Sequence, residues 1–157
     1  MAPTKKRNKA YRPHPVSPIG GISAISVNRN RVSTLPAERQ ANVVIAYHTS
    51  IDAMTGGYAQ PNHYDTIVYA LDIGVILAEN GIGGEHLDLL RPAVDAMHRC
   101  RSRYEESGKF GLDGDGLQAI QSVAGLHEAQ MAVATHGELK AAIDAMYRRV
   151  AQQKRMA

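Results

Sequence analysis

The stretch "PNHYDTIVYALDIGVILAEN", from Pro61 to Asn80, is the part of the sequence that most strongly indicates the fold. Its apolar residues recur at helical spacing, and its middle is apolar on nearly every side, which is typical of a helix at the centre of a bundle. Asn80-Gly81 is a natural end for such a helix. The residues expected on its main buried stripe are Tyr64, Ile67, Val68, Leu71, Val75 and Ala78.

The segments on both sides of this stretch also have helical spacing. A first helix is predicted to begin at Leu35-Pro36 and to end at Thr55-Gly56-Gly57. A third is predicted over roughly Glu85 to Ser107, where Pro92 should kink or split it. The inward residues predicted for the first are Ala37, Ala41, Val44, His48, Ile51 and Met54, and those for the third are Leu87, Leu90, Val94, Met97 and Tyr104.

The last third of the chain has one apolar stripe, and Asp115 is placed to cap its first turn. The stripe consists of Leu117, Ile120, Ala124, His127, Met131, Leu139, Ile143, Met146 and Val150. It stays in phase across Thr135-His136-Gly137, but Thr135 and Glu138 have the spacing of a capping box. Two collinear segments and one kinked helix are therefore both open. Residues 35–157 are predicted to form one all-α domain, a bundle of four to five helices.

Residues 1–34 have a different character. Their prolines and Gly20-Gly21 oppose a continuous helix, so we expect an extended or disordered arm. The arm carries seven Lys and Arg and no acid, whereas the rest of the chain holds the other 11 of 18 basic residues and all 15 Asp and Glu. A +7 arm thus precedes a body of net charge −4, which favours a role for the arm in binding an acidic partner. The predicted partner-binding residues are Lys5, Lys6, Arg7, Lys9, Tyr11, Arg12, Arg29 and Arg31.

Several functional classes find little support in the sequence. Cys100 is the only cysteine, so a disulfide framework or a thiolate zinc cluster is not expected. No apolar run approaches the ~20 residues that span a bilayer. The basic N-terminus is followed by prolines instead of the apolar core of a signal peptide, which indicates a cytoplasmic protein.

Some histidines are candidate metal ligands by their spacing. His48 with Asp52 and Asp95 with His98 have suitable helical spacing, but the Glu-x-x-His motif of di-metal bundles does not occur. His127-Glu128 opens like a zincin motif but has no second histidine at the required position. We therefore expect no metal, no cofactor and no catalytic residue. His48 and His127 are instead predicted to be buried, hydrogen-bonded residues of the core or of an interface.

Three arginines, Arg99, Arg101 and Arg103, surround Cys100 near the end of the third helix. Cations close to a thiol can lower its pKa, but no general base accompanies this one, so packing is its expected role. A second basic group comprises Arg148, Arg149, Lys154 and Arg155. The two groups would form a basic patch if their helix ends converge.

The opening "KKRNKAYRP" resembles the start of many small proteins encoded by bacteriophages and prophages of proteobacteria. The stretches "LDIGVILAENGIG" and "GLDGDGLQAIQSVAGLHEAQMAVAT" are similar to that group as well. The resemblance brings no activity that can be assigned to a residue. It implies a protein made in the cytoplasm of a bacterial host, which binds a host or phage macromolecule.

The function predicted from these features is that of a non-enzymatic interaction protein. It would bind a host or phage macromolecular complex, as a regulator or inhibitor, through its helical body and its arm. The alternative is a nucleic-acid-binding protein that uses the arm to neutralise phosphates. We also expect a homo-oligomer, because Leu126, Val133, Leu139 and Tyr147 add apolar surface beyond the main stripe.

Overall fold

The computed structural model of this protein describes residues 32–156, which form five α-helices with no β-strand in that range. The prediction of an all-α bundle is confirmed. The helices are α1 (Ala37–Gly56), α2 (Pro61–Glu79), α3 (Leu87–Ser107), α4 (Gly114–Val133) and α5 (His136–Met156), and a short 3-10 turn (Gly84–His86) precedes α3.

Helix α2 lies at the centre of the bundle, as its sequence indicates. It packs against each of the other four helices. Ile67 and Leu77 are almost completely buried, and the burial of each side chain stabilises the fold by about 1.5–3 kcal/mol. Gly74 also faces the interior, where a Cβ atom would lie 3.1 Å from Gln130 Oε1 of α4. The small residue therefore allows α4 to approach α2 closely.

Helix α1 ends where the sequence predicts, but only the last part of its predicted stripe is buried. Gly57 follows it with a φ of 76°, a left-handed conformation that glycine adopts without the steric cost paid by other residues. Tyr47 and Ser50 are buried, whereas His48, predicted to point inward, is exposed. The predicted stripe is correct for Ile51 and Met54 and wrong for Ala37, Ala41 and His48, which are exposed.

Helix α3 continues through Pro92 without a break. The expected split did not occur. Proline removes one backbone donor, so the carbonyl of Asp88, one turn earlier, loses its helical partner. Both Asp88 and Pro92 are exposed, and water can satisfy that carbonyl.

Helix α4 is capped by Asp113 and not by Asp115, which corrects the sequence-based prediction. The Gly116 backbone N–H donates to Asp113 Oδ1 at 2.6 Å. Arg99 Nε donates to the same carboxylate at 3.1 Å, and Arg103 also binds it. These bonds lower the pKa of Asp113, with the Arg99 hydrogen bond as the largest cause. Asp115 lies inside the first turn, where its charge complements the helix dipole.

Two helices, not one, occupy the last third of the chain. Ala134 has an extended backbone with ψ of 133°, so it interrupts the helical hydrogen bonds. The predicted capping box is present: the Thr135 backbone N–H donates to Glu138 Oε2 at 2.8 Å, and the Glu138 N–H donates to Thr135 Oγ1 at 3.3 Å.

After this break, α5 lies along α2 and has no extensive contact with another helix. A separate apolar cluster holds it there, made of Ile76, Leu77, Met131, Ala134, Leu139, Ala142 and Met146. Because α5 rests on a single neighbour, both of its flanks are open to cavities, one towards α1 and one towards α3.

Candidate functional site

The structure leaves the predicted binding residues of the arm untested. Lys5, Lys6, Arg7, Lys9, Tyr11, Arg12, Arg29 and Arg31 all lie outside the described residues. The contribution of these residues to binding remains a prediction from charge.

The residue pairs with metal-ligand spacing, His48 with Asp52 and Asp95 with His98, do not form part of a metal-ligand group in the described residues. His48 Nε2 donates to Glu128 Oε1 of α4 at 2.8 Å and has no recorded bond to Asp52. Within residues 32–156, no group of three or more His, Cys, Asp and Glu side chains is arranged to hold a metal ion. His48 is therefore an exposed contact between α1 and α4, not the buried residue that the sequence predicted.

The arginines near Cys100 are occupied by carboxylates. Arg99 and Arg103 bind Asp113, and Arg101 binds Glu105. Cys100 itself is fully buried, and this burial raises the pKa of its thiol, although Arg103 acts in the opposite direction. The thiol is therefore a core group with little thiolate character at neutral pH. In the second basic group, Arg149 binds Glu79 of α2.

A groove lies between α1 and α5, with residues of α2 between them. Its volume is about 470 Å³, which falls within the range of small-molecule and side-chain binding pockets. We call it the α1/α5 groove. It is lined by Leu35, Arg39, Val43, Ala46, Tyr47, Thr66, Tyr69, Ala70, Ile73, His127, Met131, His136, Leu139, Lys140 and Ile143.

The walls of the groove expose large apolar side chains. Val43 of α1 is 38% exposed, Tyr69 of α2 is 43% exposed and Ile143 of α5 is 37% exposed. These three residues come from three helices and face one cavity. An apolar surface that is continuous across several elements is characteristic of a binding site, because isolated exposed residues do not line a common concavity.

The charged residues that line the groove are all basic. Arg39 and Lys140 lie on it together with His136, and no Asp or Glu belongs to the lining. Lys140 Nζ donates to Asp144 Oδ2 at 2.7 Å, one turn further along α5. Among the described residues, Arg39 has no recorded ion pair or side-chain hydrogen bond. The groove therefore favours a ligand that combines apolar surface with negative charge.

The floor of the groove holds a buried polar group. His127 is only 6% exposed, and neither ring nitrogen has a hydrogen-bond partner among the described residues. Burial lowers its pKa to about 4, with Glu128 opposing the shift, so the imidazole is neutral at physiological pH. The ring of Tyr47 lies beside it, with the centroids 5.3 Å apart. Burial was predicted correctly for His127, whereas the expected hydrogen bond has no partner among residues 32–156.

The chain enters the body at the edge of this groove. Thr34 pairs with Thr135 in an isolated β-bridge, and the His136 backbone N–H donates to the Ser33 carbonyl at 2.9 Å. Gln40 Nε2 donates to the Leu35 carbonyl at 2.7 Å. The first two bonds hold Ser33 and Thr34 against the start of α5, and the third holds Leu35 against α1.

A second cavity of about 380 Å³ lies on the other flank of α5, against α3. It contains Asp72, whose carboxyl pKa is raised by burial while Arg149 and His98 act against the shift. This cavity carries acidic and basic groups together and therefore does not favour one charge. The α1/α5 groove is the better candidate site because its apolar walls and its basic residues suit one kind of ligand.

The groove could not be predicted from the sequence, because local patterns do not show which residues of different helices meet in space. Val43, Tyr69 and Ile143 are far apart in the chain, and none belongs to a motif. One indication was available: Val43 and Tyr69 are apolar but lie off the predicted stripes of their helices. The sequence could not show that these extra residues meet in space.

Comparisons with protein-family models, curated proteins and solved structures gave no match to this chain. In the described range, no helix combines the length and the apolar character needed to cross a bilayer.

Proposed function

We propose that this protein is a non-enzymatic interaction protein whose α1/α5 groove binds an acidic, amphipathic segment of a host or phage protein complex. Such binding would regulate or inhibit that complex. The observation that carries the proposal is an apolar groove with basic residues and no acid in its lining, and the described chain begins at its edge with Ser33–Leu35.

The shape of the groove supports a protein segment as the ligand. It runs between two long helices over a third, which is the geometry in which amphipathic helices are bound. A segment with apolar residues one turn apart would cover Val43, Tyr69 and Ile143 together. Covering exposed aromatic and aliphatic side chains is the main source of affinity in such interfaces.

Charge supports an acidic partner. Arg39 and Lys140 stand at the groove, and the arm that precedes Ser33 adds seven basic residues without an acid. An acidic segment would therefore meet positive charge both within the groove and beside it. Complementary charge of this kind increases the association rate and disfavours incorrect partners.

The experiment is capture of the partner by the tagged full-length chain from phage-infected bacteria, followed by affinity measurements with the purified partner. We expect the double variant Val43→Asp/Ile143→Asp to bind at least about tenfold more weakly, because it places carboxylates on the surface that receives an acidic segment. Both residues are partly exposed, so the fold should tolerate the change.

Ile45→Asp is the matched control. Ile45 lies on α1 but outside the groove and is 61% exposed, so this variant should bind as the wild type does. Deletion of residues 1–18 should weaken binding, reduce its salt dependence and leave the melting temperature nearly unchanged. Equal affinities for the wild type and the groove variant would refute the proposal. If nucleic acid is captured and its affinity depends on the arm alone, the nucleic-acid alternative is correct.

A further inference from the structure

The basic and the apolar residues of the α1/α5 groove lie in different parts of it. Arg39 belongs to the first turn of α1, and His136 is the first residue of α5. The bridge between Thr34 and Thr135 brings the starts of these two helices together. Lys140 lies one turn further along α5. The basic side chains of the lining are therefore gathered at one end of the groove.

The lining beyond this end is uncharged and mostly apolar. Tyr47 follows Arg39 by eight residues on α1, which corresponds to about 12 Å along the helix axis. Val43, Tyr69 and Ile143 are each more than a third exposed, so a ligand can reach this part of the wall from solvent. A groove with one basic end and an accessible apolar stretch matches a ligand with one anionic head and one apolar tail.

We propose that the α1/α5 groove also binds a fatty carboxylate, a single alkyl chain with one anionic headgroup, and that this ligand regulates the protein by competing with the partner segment. The inference rests on the proposed function, since it names a regulator of the same site. The headgroup would lie at Arg39 and Lys140, and the chain would cover Val43, Tyr69 and Ile143. This ligand would use a separation of charge from apolar surface that an amphipathic segment does not require.

The basic end is suited to a carboxylate. Arg39 is exposed and has no recorded ion pair or side-chain hydrogen bond within residues 32–156, so its guanidinium donors can receive an anion. Lys140 is exposed as well, although its ammonium also binds Asp144. Glu138 lies in the first turn of α5 but does not line the groove, and its carboxylate accepts hydrogen bonds from Thr135. Arg39 is therefore the main expected contact of the headgroup.

The apolar stretch is suited to an alkyl chain. The groove volume of about 470 Å³ falls within the range of pockets that bury small ligands. Each methylene group that leaves water can increase the affinity by up to about fourfold. An alkyl chain carries no amide groups, so it leaves no polar atom unsatisfied against the apolar wall. The chain would occupy the surface that the apolar side chains of a partner segment need, which is the physical basis of the competition.

The test compares decanoate, decanol and decyltrimethylammonium, which share one chain and differ in the charge of the head. Each is titrated into the full-length protein below its micelle concentration, and binding is followed by NMR shifts of the methyl groups of Val43 and Ile143. We expect decanoate to bind about tenfold more tightly than decanol, because its head gains charge-assisted hydrogen bonds, and the cation to bind most weakly.

Chain length and the headgroup alone provide two further comparisons. Octanoate is two methylene groups shorter than decanoate and should bind up to about 16-fold more weakly. Acetate carries the head without a tail and should leave the methyl resonances of Val43 and Ile143 unchanged. This comparison separates binding in the groove from simple attraction of anions to the basic arm.

Arg39→Gln tests the position of the headgroup, and Arg91→Gln is the matched control because Arg91 is an exposed arginine outside the groove. Both positions are exposed, so the fold should tolerate the changes. Arg39→Gln should remove most of the advantage of decanoate over decanol and leave the affinity for decanol unchanged, whereas Arg91→Gln should keep the advantage. The inference is overturned by equal binding of decanoate and decanol, by an advantage that is unchanged in Arg39→Gln, or by no binding of decanoate below its micelle concentration.

Competition with the captured partner is measured separately, and decanoate should displace the partner whereas acetate should not. If decanoate binds as expected but the partner ignores Val43→Asp/Ile143→Asp, the amphiphile site stands and the proposed function fails. If the groove variant abolishes partner binding but decanoate does not displace the partner, the proposed function stands and the regulation inferred here is wrong.

Discussion

At the scale of single residues, His127 and Gln130 show opposite uses of a buried polar group. They lie one turn apart on α4, and both are buried. Gln130 Nε2 donates to the carbonyls of Gly74 and Ile82 at 3.0 and 2.8 Å, so it ties the end of α2 and the following turn to α4. Neither His127 ring nitrogen has a hydrogen-bond partner within the described residues, and Gln130 Oε1 has none either. Gln130 therefore stabilises the fold through its amide nitrogen, and the His127 imidazole makes no comparable contribution.

This contrast predicts opposite effects of two equivalent substitutions. His127→Leu should raise the free energy of unfolding at pH 7 by about 1 kcal/mol, because it removes an unsatisfied buried group. Gln130→Leu should lower it by about 1–3 kcal/mol, because two carbonyls lose their donor. Urea denaturation of both variants measures the difference. A destabilised His127→Leu variant would show that the imidazole contributes to stability in a way the structure does not reveal.

His127 should also make the protein sensitive to mild acid. The pKa of its imidazole is about 4 in the folded state and 6.5 when unperturbed, so the unfolded chain binds the proton more readily between these values. Stability contributed by the neutral ring is therefore complete above about pH 6.5 and decreases as the pH falls towards 4.

From pH 7 to pH 5 this group alone should lower the free energy of unfolding by roughly 2 kcal/mol. The measurement is urea denaturation of the wild type and of His127→Leu at both pH values. The wild type should lose more stability than the variant does. An identical loss in the two proteins would mean that the imidazole titrates normally in the folded state.

At the scale of elements, Asp113 holds the start of α4. Asp113→Ala should lower the melting temperature by on the order of 5 °C, because it removes the helix cap and the acceptor for Arg99 and Arg103. Asp115→Ala, which removes an acid two residues away, should have a smaller effect. Thermal denaturation followed by circular dichroism compares the two variants. A larger effect at Asp115 would restore the sequence-based assignment of the cap.

The helices could be predicted from sequence because their periodicity and their ends are local properties. The central position of α2 follows from its apolar middle, and the end of α1 follows from Gly57. The position of α5 could not be predicted, because the capping box at Thr135 indicates an interruption but not the direction that the chain then takes. On α1 the spacing identified Ile51 and Met54 but not Tyr47, whose burial depends on its contacts with Ile120 and His127 of α4.

At the scale of the whole molecule, one of the residues that led us to expect self-association does not lie on the surface. Leu139 was counted as surplus apolar surface, but it is buried between α5 and α2. Val133 and Tyr147 are exposed as the expectation requires. We still predict a homodimer that covers this surface, with twice the monomer mass by light scattering at micromolar concentration. A monomeric mass under these conditions would contradict it.

The isolated pairing of Thr34 with Thr135 has a consequence for affinity. If a partner binds both the proposed groove and the basic arm, then a partner held by one of them meets the other at high effective concentration, because one chain carries both. Two weak attractions then act as a single strong one. A protease site inserted between residues 31 and 32 makes the gain measurable, with the uncut protein as control. Cleavage should reduce affinity by up to about 100- to 10,000-fold, although every contact surface remains present in solution.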